Sequence, residues 1–281
     1  MENGVFLNGR YCTPEEALIS VDDRGFLFGD GVYEVIKCFD GKFFKMEEHL
    51  IRLQRSAGKI MLDLPYTARE IAAVCYELRS RSGIQNGLIY MQATRGAAPR
   101  THYFPQSPSP TFLVKIIEMD VEIWLEHCRG VKAIFLPDER WVHCDIKSVN
   151  LLPNVLARET ARRQGAYEAI FIHSLGITEC GSSNFFAVLD GRLVTAPQGD
   201  RILSGIIRET VLQLAAAAEI PVELRYPRPE EMAAATEAFI TNSSDEIAPI
   251  LAIDEKPVGE GRPGKITTLL SDKLEALKKT L

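Results

Sequence analysis

Two charged side chains stand where cofactor chemistry could take place. Lys147 follows apolar residues and precedes Ser148, and a lysine in apolar surroundings exposes the neutral amine that Schiff-base formation needs. Glu179 lies in the polar segment 176–184, which we interpret as a corner between two strands. A buried, ionised carboxylate there could pair with a protonated heterocyclic nitrogen. Most lysines and turn carboxylates are solvated surface groups, so both interpretations stay open at this point.

Two further segments have the composition of anion-binding sites. Gly205 precedes an amphipathic segment that predicts a helix over 206–219. The unpaired amides of its first turn and the positive end of its dipole would face an anion. The segment 241–244 follows an apolar strand at 238–240 and places hydroxyl groups at its end. Either segment alone is more often a helix cap or a plain turn, but together they favour a phosphate ligand.

Arg100 and His102 form a third candidate site. They alternate on a stretch predicted to be extended, so their side chains share one face. An arginine fork with a histidine beside it can bind a carboxylate, whereas either residue alone is usually a surface group. The pair therefore predicts a carboxylate clamp.

The elements that position these residues follow from hydrophobic periodicity. In the first half the sequence predicts strands at 4–7, 9–11, 31–39, 42–45, 87–94 and 111–118, helices at 46–61 and 67–80, and a Pro-rich loop at 95–110. In the second half it predicts a strand at 130–136, a helix at 151–164, a hairpin of strands 168–173 and 184–189, and the helix at 206–219. Strands and helices without internal repeats predict an α+β fold.

The 281 residues suffice for one large or two medium domains. An acidic, polar stretch around 118–122 marks the expected boundary. We therefore predict a small N-terminal α/β domain over 1–120 and a larger C-terminal domain over 121–281 that carries Lys147.

Composition excludes several classes of function. The net charge of −6 removes the attraction to phosphate backbones that nucleic-acid binding needs, and no window of about 18 apolar residues could span a membrane. Six scattered cysteines and five histidines lack the spacing of a metal site or a redox motif. Because this cysteine usage fits a reducing compartment, we expect a cytoplasmic protein without a metal, acting on small molecules.

Six motifs together resemble the class IV aminotransferases, the fold-type IV family of pyridoxal-phosphate-dependent enzymes, and within it the bacterial D-amino acid (D-alanine) aminotransferases. The motifs lie at 23–35, 48–52, 94–102, 144–148, 178–184 and 241–246, so the resemblance covers nearly the whole chain. It implies a two-domain α+β fold, pyridoxal 5′-phosphate in the cleft between the domains, and a homodimer.

The resemblance also implies the cofactor site. Lys147 would carry the cofactor as a Schiff base and move the proton between the substrate α-carbon and the cofactor C4′ atom. Glu179 would keep the pyridine nitrogen protonated. The other implied ligands are Arg52, the amides of Ile206 and Ile207, and Ser243 for the phosphate, and Leu203 for the ring face. Ile207 stands where a threonine is common in the family, so one hydroxyl ligand is missing.

Substrate binding is implied for Tyr33, Arg100, His102 and Ser244, with Arg100 and His102 contributed by the neighbouring subunit. A carboxylate clamp on this side would present D-amino acids to Lys147. The implied reaction is transamination between a D-amino acid, such as D-alanine, D-glutamate or D-aspartate, and 2-oxoglutarate or pyruvate. The alternatives are a branched-chain L-amino acid aminotransferase, an aminodeoxychorismate lyase and, outside the enzymes, a non-catalytic relative of the fold.

Overall fold

The computed structural model describes residues 4–280, which divide into two compact units. The first comprises the described residues up to Met119 together with Ile146–Asn150, and the second comprises Asp120–Asp145 and the residues from Leu151 onward. Each unit combines a sheet with helices, as an α+β fold requires. No helix within 4–280 is long and apolar enough to cross a membrane.

The first unit is a six-stranded sheet with three α-helices. Its strands are β1 (Val5–Leu7), β2 (Arg10–Cys12), β3 (Gly31–Phe39), β4 (Lys42–Phe43), β5 (Gly87–Thr94) and β6 (Thr111–Glu118), and its helices are α1 (Arg24–Phe28), α2 (Met46–Lys59) and α3 (Ala68–Ser82). The strand order is β2-β1-β6-β5-β3-β4, with antiparallel neighbours. Alternate residues of β5, such as Ile89 and Met91, join Leu53 of α2 and Leu78 of α3 in the core.

The segment that carries Lys147 belongs to the first unit. Strand β4 pairs only with the end of β3, so the first half of that edge is open to another segment. There Tyr33 N donates to Lys147 O at 2.9 Å, and Val149 N donates to Gly31 O at 3.1 Å. These contacts correct the expectation that Lys147 lies in the C-terminal domain. Residues distant in sequence complete this edge, which periodicity alone does not reveal.

The second unit contains a nine-stranded sheet. Its strands are β7 (Val131–Pro137), β8 (Glu168–His173), β9 (Gly176–Cys180), β10 (Asn184–Leu189), β11 (Arg192–Thr195), β12 (Val222–Leu224), β13 (Glu237–Asn242), β14 (Glu246–Ile253) and β15 (Lys256–Pro257). Its helices are α4 (Val121–Arg129), α5 (Leu152–Arg163), α6 (Ile206–Ala217) and α7 (Lys265–Lys278). The order is β12-β11-β10-β13-β14-β7-β8-β9, and β15 pairs with β14. Strand β7 is parallel to both of its neighbours.

One prediction about the second unit was wrong, and its helix α4 was not predicted. Strands β8 and β10 do not form a hairpin, because β9 lies between them in the chain and pairs with β8, whereas β10 pairs with β11 and β13. The sequence conceals β9 because Thr178 and Glu179 are polar yet buried. The predicted strand at 130–136 is present as β7, but helix α4, which precedes it, was not predicted; Asp120 caps that helix by accepting from the amides of Glu122 and Ile123.

Candidate functional site

Lys147 lies in a loop beside strand β3 and is partly buried. Its amide donates to Ser56 Oγ at 3.2 Å, and its Nζ lies 4.4 Å from the centroid of the Tyr33 ring. The Tyr33 ring in turn stacks on Tyr90, with centroids 5.8 Å apart. The structure therefore brings together Lys147 and Tyr33, two of the predicted site residues.

Arg52 is held by a buried carboxylate that sequence reasoning missed. Its Nε and Nη2 donate to the two oxygens of Glu34 at 2.6 and 3.0 Å, and His49 Nδ1 forms a hydrogen bond with Oε2 of the same carboxylate at 2.8 Å. Glu34 and His49 are both within motifs quoted for the resemblance, at 23–35 and 48–52. Helical spacing places His49 and Arg52 on one face of α2, which is the signal that could have found the cluster.

Charges in this cluster are strongly coupled. Burial raises the pKa of Glu34, but the charge of Arg52 and the hydrogen bonds from His49 and Arg52 outweigh it, so this pKa lies well below its ordinary value. Burial lowers the pKa of His49 despite its contact with Glu34, and the charges of Arg52 and Lys147 act in the same direction. The guanidinium of Arg52 is thus fixed by an ionised carboxylate near Lys147.

Replacing Glu34 with glutamine should destabilise the protein by about 3–5 kcal/mol at neutral pH, because it leaves a buried guanidinium without its counter-charge. The folded-state pKa of Glu34 is depressed, so its contribution is complete above the ordinary value of 4.5 and is lost as the pH falls towards the depressed value. Urea unfolding of both proteins from neutral to acid pH should show a difference that is constant near neutrality and shrinks in acid. In the exposed pair Glu77–Arg81, Glu77→Gln should cost at most about 1 kcal/mol. An equal loss in both variants would refute the prediction.

Glu179 lies on β9 and is 5% exposed. Arg140 donates to it through Nη1 and binds Asp138 through Nε and Nη2 at 2.9 and 2.8 Å. The Thr178 hydroxyl donates to Asp138 at 2.7 Å. The sequence analysis did not identify Arg140 and Asp138, because a run of charged residues after a strand does not by itself indicate whether those residues are buried or exposed to solvent. The interpretation of 176–184 as a corner is corrected: Glu179 is part of a buried ionic cluster.

Burial raises the pKa of Glu179, and the charge and hydrogen bond of Arg140 oppose this shift. Burial lowers the pKa of Arg140, but the hydrogen bonds to Asp138 and the charge of Glu179 have a larger effect. The pKa of Arg140 therefore lies above its ordinary value. Burial raises the pKa of Asp138 as well, and the hydrogen bonds from Arg140 bring it below its ordinary value. Arg140 is therefore a permanent cation shared by two carboxylates, and a second cation beside Glu179 would favour its ionised form.

Asn184 connects Glu179 to the start of helix α6. Its Nδ2 donates to Glu179 Oε2 and to Leu203 O, both at 2.9 Å, and Leu203 N donates to Glu179 Oε2 at 2.9 Å. A Cβ atom on Gly205 would lie 1.9 Å from Asn184 Oδ1, so only glycine lets the helix start this close. Helix α6 begins at Ile206, as predicted, and no side chain caps it. Its first amides are left without intrahelical partners.

Unsatisfied polar atoms lie next to this helix start. Thr241 is opposite Asn184 in the β10–β13 pair, so the two side chains share a face, and its buried Oγ1 has no hydrogen-bond partner in the described chain. The Ser243 hydroxyl donates to no other residue of 4–280. Buried Arg208, in the first turn of α6, donates through Nη2 to Ala196 O at 2.7 Å, and its Nε has no partner there either. Ser244 instead donates its hydroxyl to Asn242 Oδ1 at 2.9 Å within the turn.

Arg100 and His102 lie on an exposed loop of the first unit. Both rest against Phe28: the Arg100 guanidinium is 5.1 Å from its ring centroid, and the ring centroids of His102 and Phe28 are 5.6 Å apart. The structure therefore places the Arg100 and His102 side chains against the same aromatic ring. Within residues 4–280, neither makes a hydrogen bond or ion pair with Tyr33 or Lys147. No cluster of potential metal ligands is present in the same range.

The comparisons with known proteins decide the family. A sequence model of the family described as amino-transferase class IV matches residues 31–253. The chain belongs to the class IV aminotransferases. This class IV aminotransferase is 42% identical over 271 residues to the D-alanine aminotransferase of Staphylococcus epidermidis, covering 96% of each chain.

Two solved structures show the same fold. The branched-chain aminotransferase from Thermoproteus uzoniensis with norvaline has 30% identity and a TM-score of 0.88, covering 97% of this chain and 93% of the other. The branched-chain amino acid aminotransferase from Escherichia coli has 25% identity and a TM-score of 0.89, covering 99% of this chain and 94% of the other. The fold-type IV architecture predicted for this class IV aminotransferase is confirmed.

Proposed function

We propose that this class IV aminotransferase transfers the amino group between a D-amino acid, such as D-alanine, D-glutamate or D-aspartate, and 2-oxoglutarate or pyruvate. The observation that carries the proposal is the Arg100–His102 pair on Phe28, which forms a carboxylate clamp in a chain whose similar relatives are named D-alanine aminotransferases. Its similarity to branched-chain enzymes is lower in sequence and supports the shared fold more than a shared substrate.

The chemistry of the donors supports pyridoxal 5′-phosphate as the cofactor. Uncapped amides lie at the start of α6, the buried Thr241 hydroxyl is near the end of β13, and Ser243 lies in the turn that follows; all of these groups can donate to a phosphate. The buried guanidinium of Arg208 forms no ion pair within the described residues, so an anion nearby would offset its burial. Glu179, at the other end of the Asn184 link, offers a carboxylate to a cationic ring nitrogen. The residues therefore fit a molecule with a phosphate at one end and a basic heterocycle at the other.

We assign these residues the following roles. Arg52, oriented by Glu34, the amides of Ile206 and Ile207, and the Ser243 hydroxyl bind the phosphate, and Leu203 packs against the ring. When bound, the cofactor supplies an electron sink for the negative charge left on the substrate α-carbon. Glu179 holds a proton on the ring nitrogen. Lys147 accepts and returns the substrate α-proton through Nζ, and Tyr33 packs beside it.

Restoring a hydroxyl at position 207 should tighten cofactor binding. Ile207 is 3% exposed in the first turn of α6, and Ile207→Thr would add a donor to the phosphate, worth about a tenfold lower dissociation constant for a charge-assisted hydrogen bond. Titration of the apoenzyme with pyridoxal 5′-phosphate measures it. Ile207→Val is the matched control, because it has the shape of threonine without the hydroxyl. Equal affinities in the two variants would contradict the prediction.

We further propose a homodimer in which Arg100, His102 and Ser244 contribute to substrate binding, the first two from the neighbouring subunit. The loop that carries Arg100 and His102 is exposed, and within residues 4–280 neither side chain forms a hydrogen bond or ion pair with Tyr33 or Lys147. Large apolar side chains are exposed in both units, and a second copy would cover some of them; among them are Leu18, Val21, Phe26, Leu152, Val155 and Leu156. None of the six cysteines, all within residues 4–280, forms a disulfide bond, which supports a cytoplasmic location.

A half-reaction experiment tests the function. The cofactor-loaded protein is mixed with D-alanine without an oxo acid, and the long-wavelength absorption of the bound cofactor should bleach as pyruvate appears. L-leucine should leave the absorption unchanged; the reverse pattern would establish the branched-chain alternative. Release of pyruvate and 4-aminobenzoate from aminodeoxychorismate would establish the lyase. A protein that acquires no cofactor absorption would be a non-catalytic relative of the fold.

A further inference from the structure

The loop at 95–110, which carries Arg100 and His102, has few backbone constraints of its own. Gly96 O accepts from Arg24 N at 2.9 Å, and Ala98 N donates to Asp22 O at 3.1 Å. Beyond Ala98, this loop forms one backbone–backbone hydrogen bond among the described residues, from Thr101 N to Pro99 O, and the Thr101 hydroxyl donates to Tyr103 O at 3.3 Å. A clamp that must meet a carboxylate in a fixed geometry needs a further constraint.

Arg24 supplies that constraint. Its Nη1 donates to Thr101 O at 2.6 Å and to Tyr103 O at 3.3 Å, the two carbonyls on either side of His102. Its Nε donates to Asp30 Oδ2 at 2.8 Å, and the side chain is 4% exposed. A buried guanidinium gripping both carbonyls fixes the direction in which the His102 side chain leaves the backbone.

Asp30 anchors Arg24 to the rest of the unit. It also accepts from Arg95 Nε and Nη2 at 2.9 and 3.0 Å, and Arg95 donates to the carbonyls of Ile60 and Met61 at 2.7 and 2.8 Å. Burial raises the pKa of Asp30, but the hydrogen bonds from Arg95 and Arg24 outweigh it and lower this pKa. One ionised carboxylate is therefore the shared counter-charge of two buried guanidiniums: that of Arg95 at the base of the loop and that of Arg24, which contacts its middle.

The ring of Phe28 contacts Arg24 and both residues of the clamp. The guanidiniums of Arg24 and Arg100 lie 4.8 and 5.1 Å from its ring centroid, and the His102 ring lies 5.6 Å away. Phe28 is the last residue of α1, and Gly29, with φ of 66°, turns the chain so that Asp30 follows next to it. The short helix α1 thus presents Arg24 and Phe28 to the same loop.

We propose that Arg24 is a positioning residue for substrate: by holding the carbonyls of Thr101 and Tyr103, it orients the Arg100–His102 clamp that binds the α-carboxylate. The inference rests on the proposed function, since it needs the clamp to bind substrate. Arg24 itself is buried and acts through the loop, whichever subunit of a dimer receives the clamp.

Steady-state kinetics with D-alanine and 2-oxoglutarate test the proposal on the cofactor-loaded enzyme. Arg24→Met should raise the KM for D-alanine about 30-fold while kcat changes by less than about threefold, because a small misplacement of a binding group is costly. Arg24→Lys keeps the charge and one donor to the loop, so it should raise KM only about threefold to tenfold. Arg100→Ala provides the reference for a lost clamp, and Arg10→Met, at an exposed arginine, is the matched control.

A double variant separates positioning from general damage. If Arg24 acts through Arg100, adding Arg24→Met to Arg100→Ala should raise KM by less than about threefold more. The inference is overturned if Arg100→Ala raises KM but neither Arg24 variant does, or if Arg24→Met lowers kcat and thermal stability with KM unchanged. Should Arg24→Met fail to fold, Arg24→Lys alone decides between these outcomes. A wild-type enzyme without D-alanine activity would instead refute the proposed function, and an unchanged KM in Arg100→Ala would refute the clamp and this inference together.

Discussion

Replacing Lys147 with alanine is expected to lower kcat for D-alanine transamination by at least about a thousandfold, because the variant loses the group to which we assign the movement of the α-proton in both half-reactions. The structure places Lys147 beside Tyr33, with Nζ 4.4 Å from the ring centroid, and near His49, whose pKa is lowered by burial and by the charges of Arg52 and Lys147. Cofactor should still bind through the phosphate site, so Lys147→Ala separates binding from turnover. Stopped-flow absorption after mixing with D-alanine measures the loss.

The control for this variant is Lys256→Ala, which removes an exposed lysine from β15. It should leave both the cofactor spectrum and kcat unchanged. If Lys147→Ala retained the wild-type half-reaction rate, another base would have to move the proton, and the role assigned to Lys147 would be wrong. A slow rate that added methylamine increases would support the role, since a free amine can take over proton transfer.

The second large effect is expected for Glu179→Gln, which should lower kcat about a hundredfold with cofactor content little changed. Glutamine is close in size to glutamate and can still accept from Asn184 and Leu203 N, which now bond Oε2. It lacks the negative charge that would keep a proton on the ring nitrogen. The loss should therefore fall on chemistry rather than on binding, and kcat together with the dissociation constant for pyridoxal 5′-phosphate distinguishes the two.

Glu230→Gln, at an exposed glutamate of the same unit, is the control and should leave kcat unchanged. Weaker cofactor binding with normal kcat in Glu179→Gln would contradict the assigned role. Loss of folding would show instead that the carboxylate serves mainly as the counter-charge of Arg140, to which it is directly paired.

Much of the fold and several candidate site residues were accessible from the sequence because the relevant signals are local. Alternating apolar residues locate β3, β5 and β6, helical spacing locates α2 and α3, and a glycine before an amphipathic segment locates the start of α6. Residue types within ordered motifs indicated Lys147, Glu179 and the Arg100–His102 pair and allowed a resemblance to class IV aminotransferases, and the family is confirmed.

Tertiary structure alone decided which groups neutralise and orient these residues. Glu34 on β3 accepts from Arg52 on α2. Arg140 donates to Glu179, 39 residues away in sequence, and Arg24 donates to Thr101, 77 residues away. The polar residues of β9, which the sequence analysis interpreted as a corner, are buried in a strand. The segment that contains Lys147 pairs with the open edge of β3 and therefore belongs to the first unit. Periodicity records which side chains avoid water, but a buried charge is stable only beside its counter-charge. Because that partner is brought near by the fold, a linear pattern does not contain it.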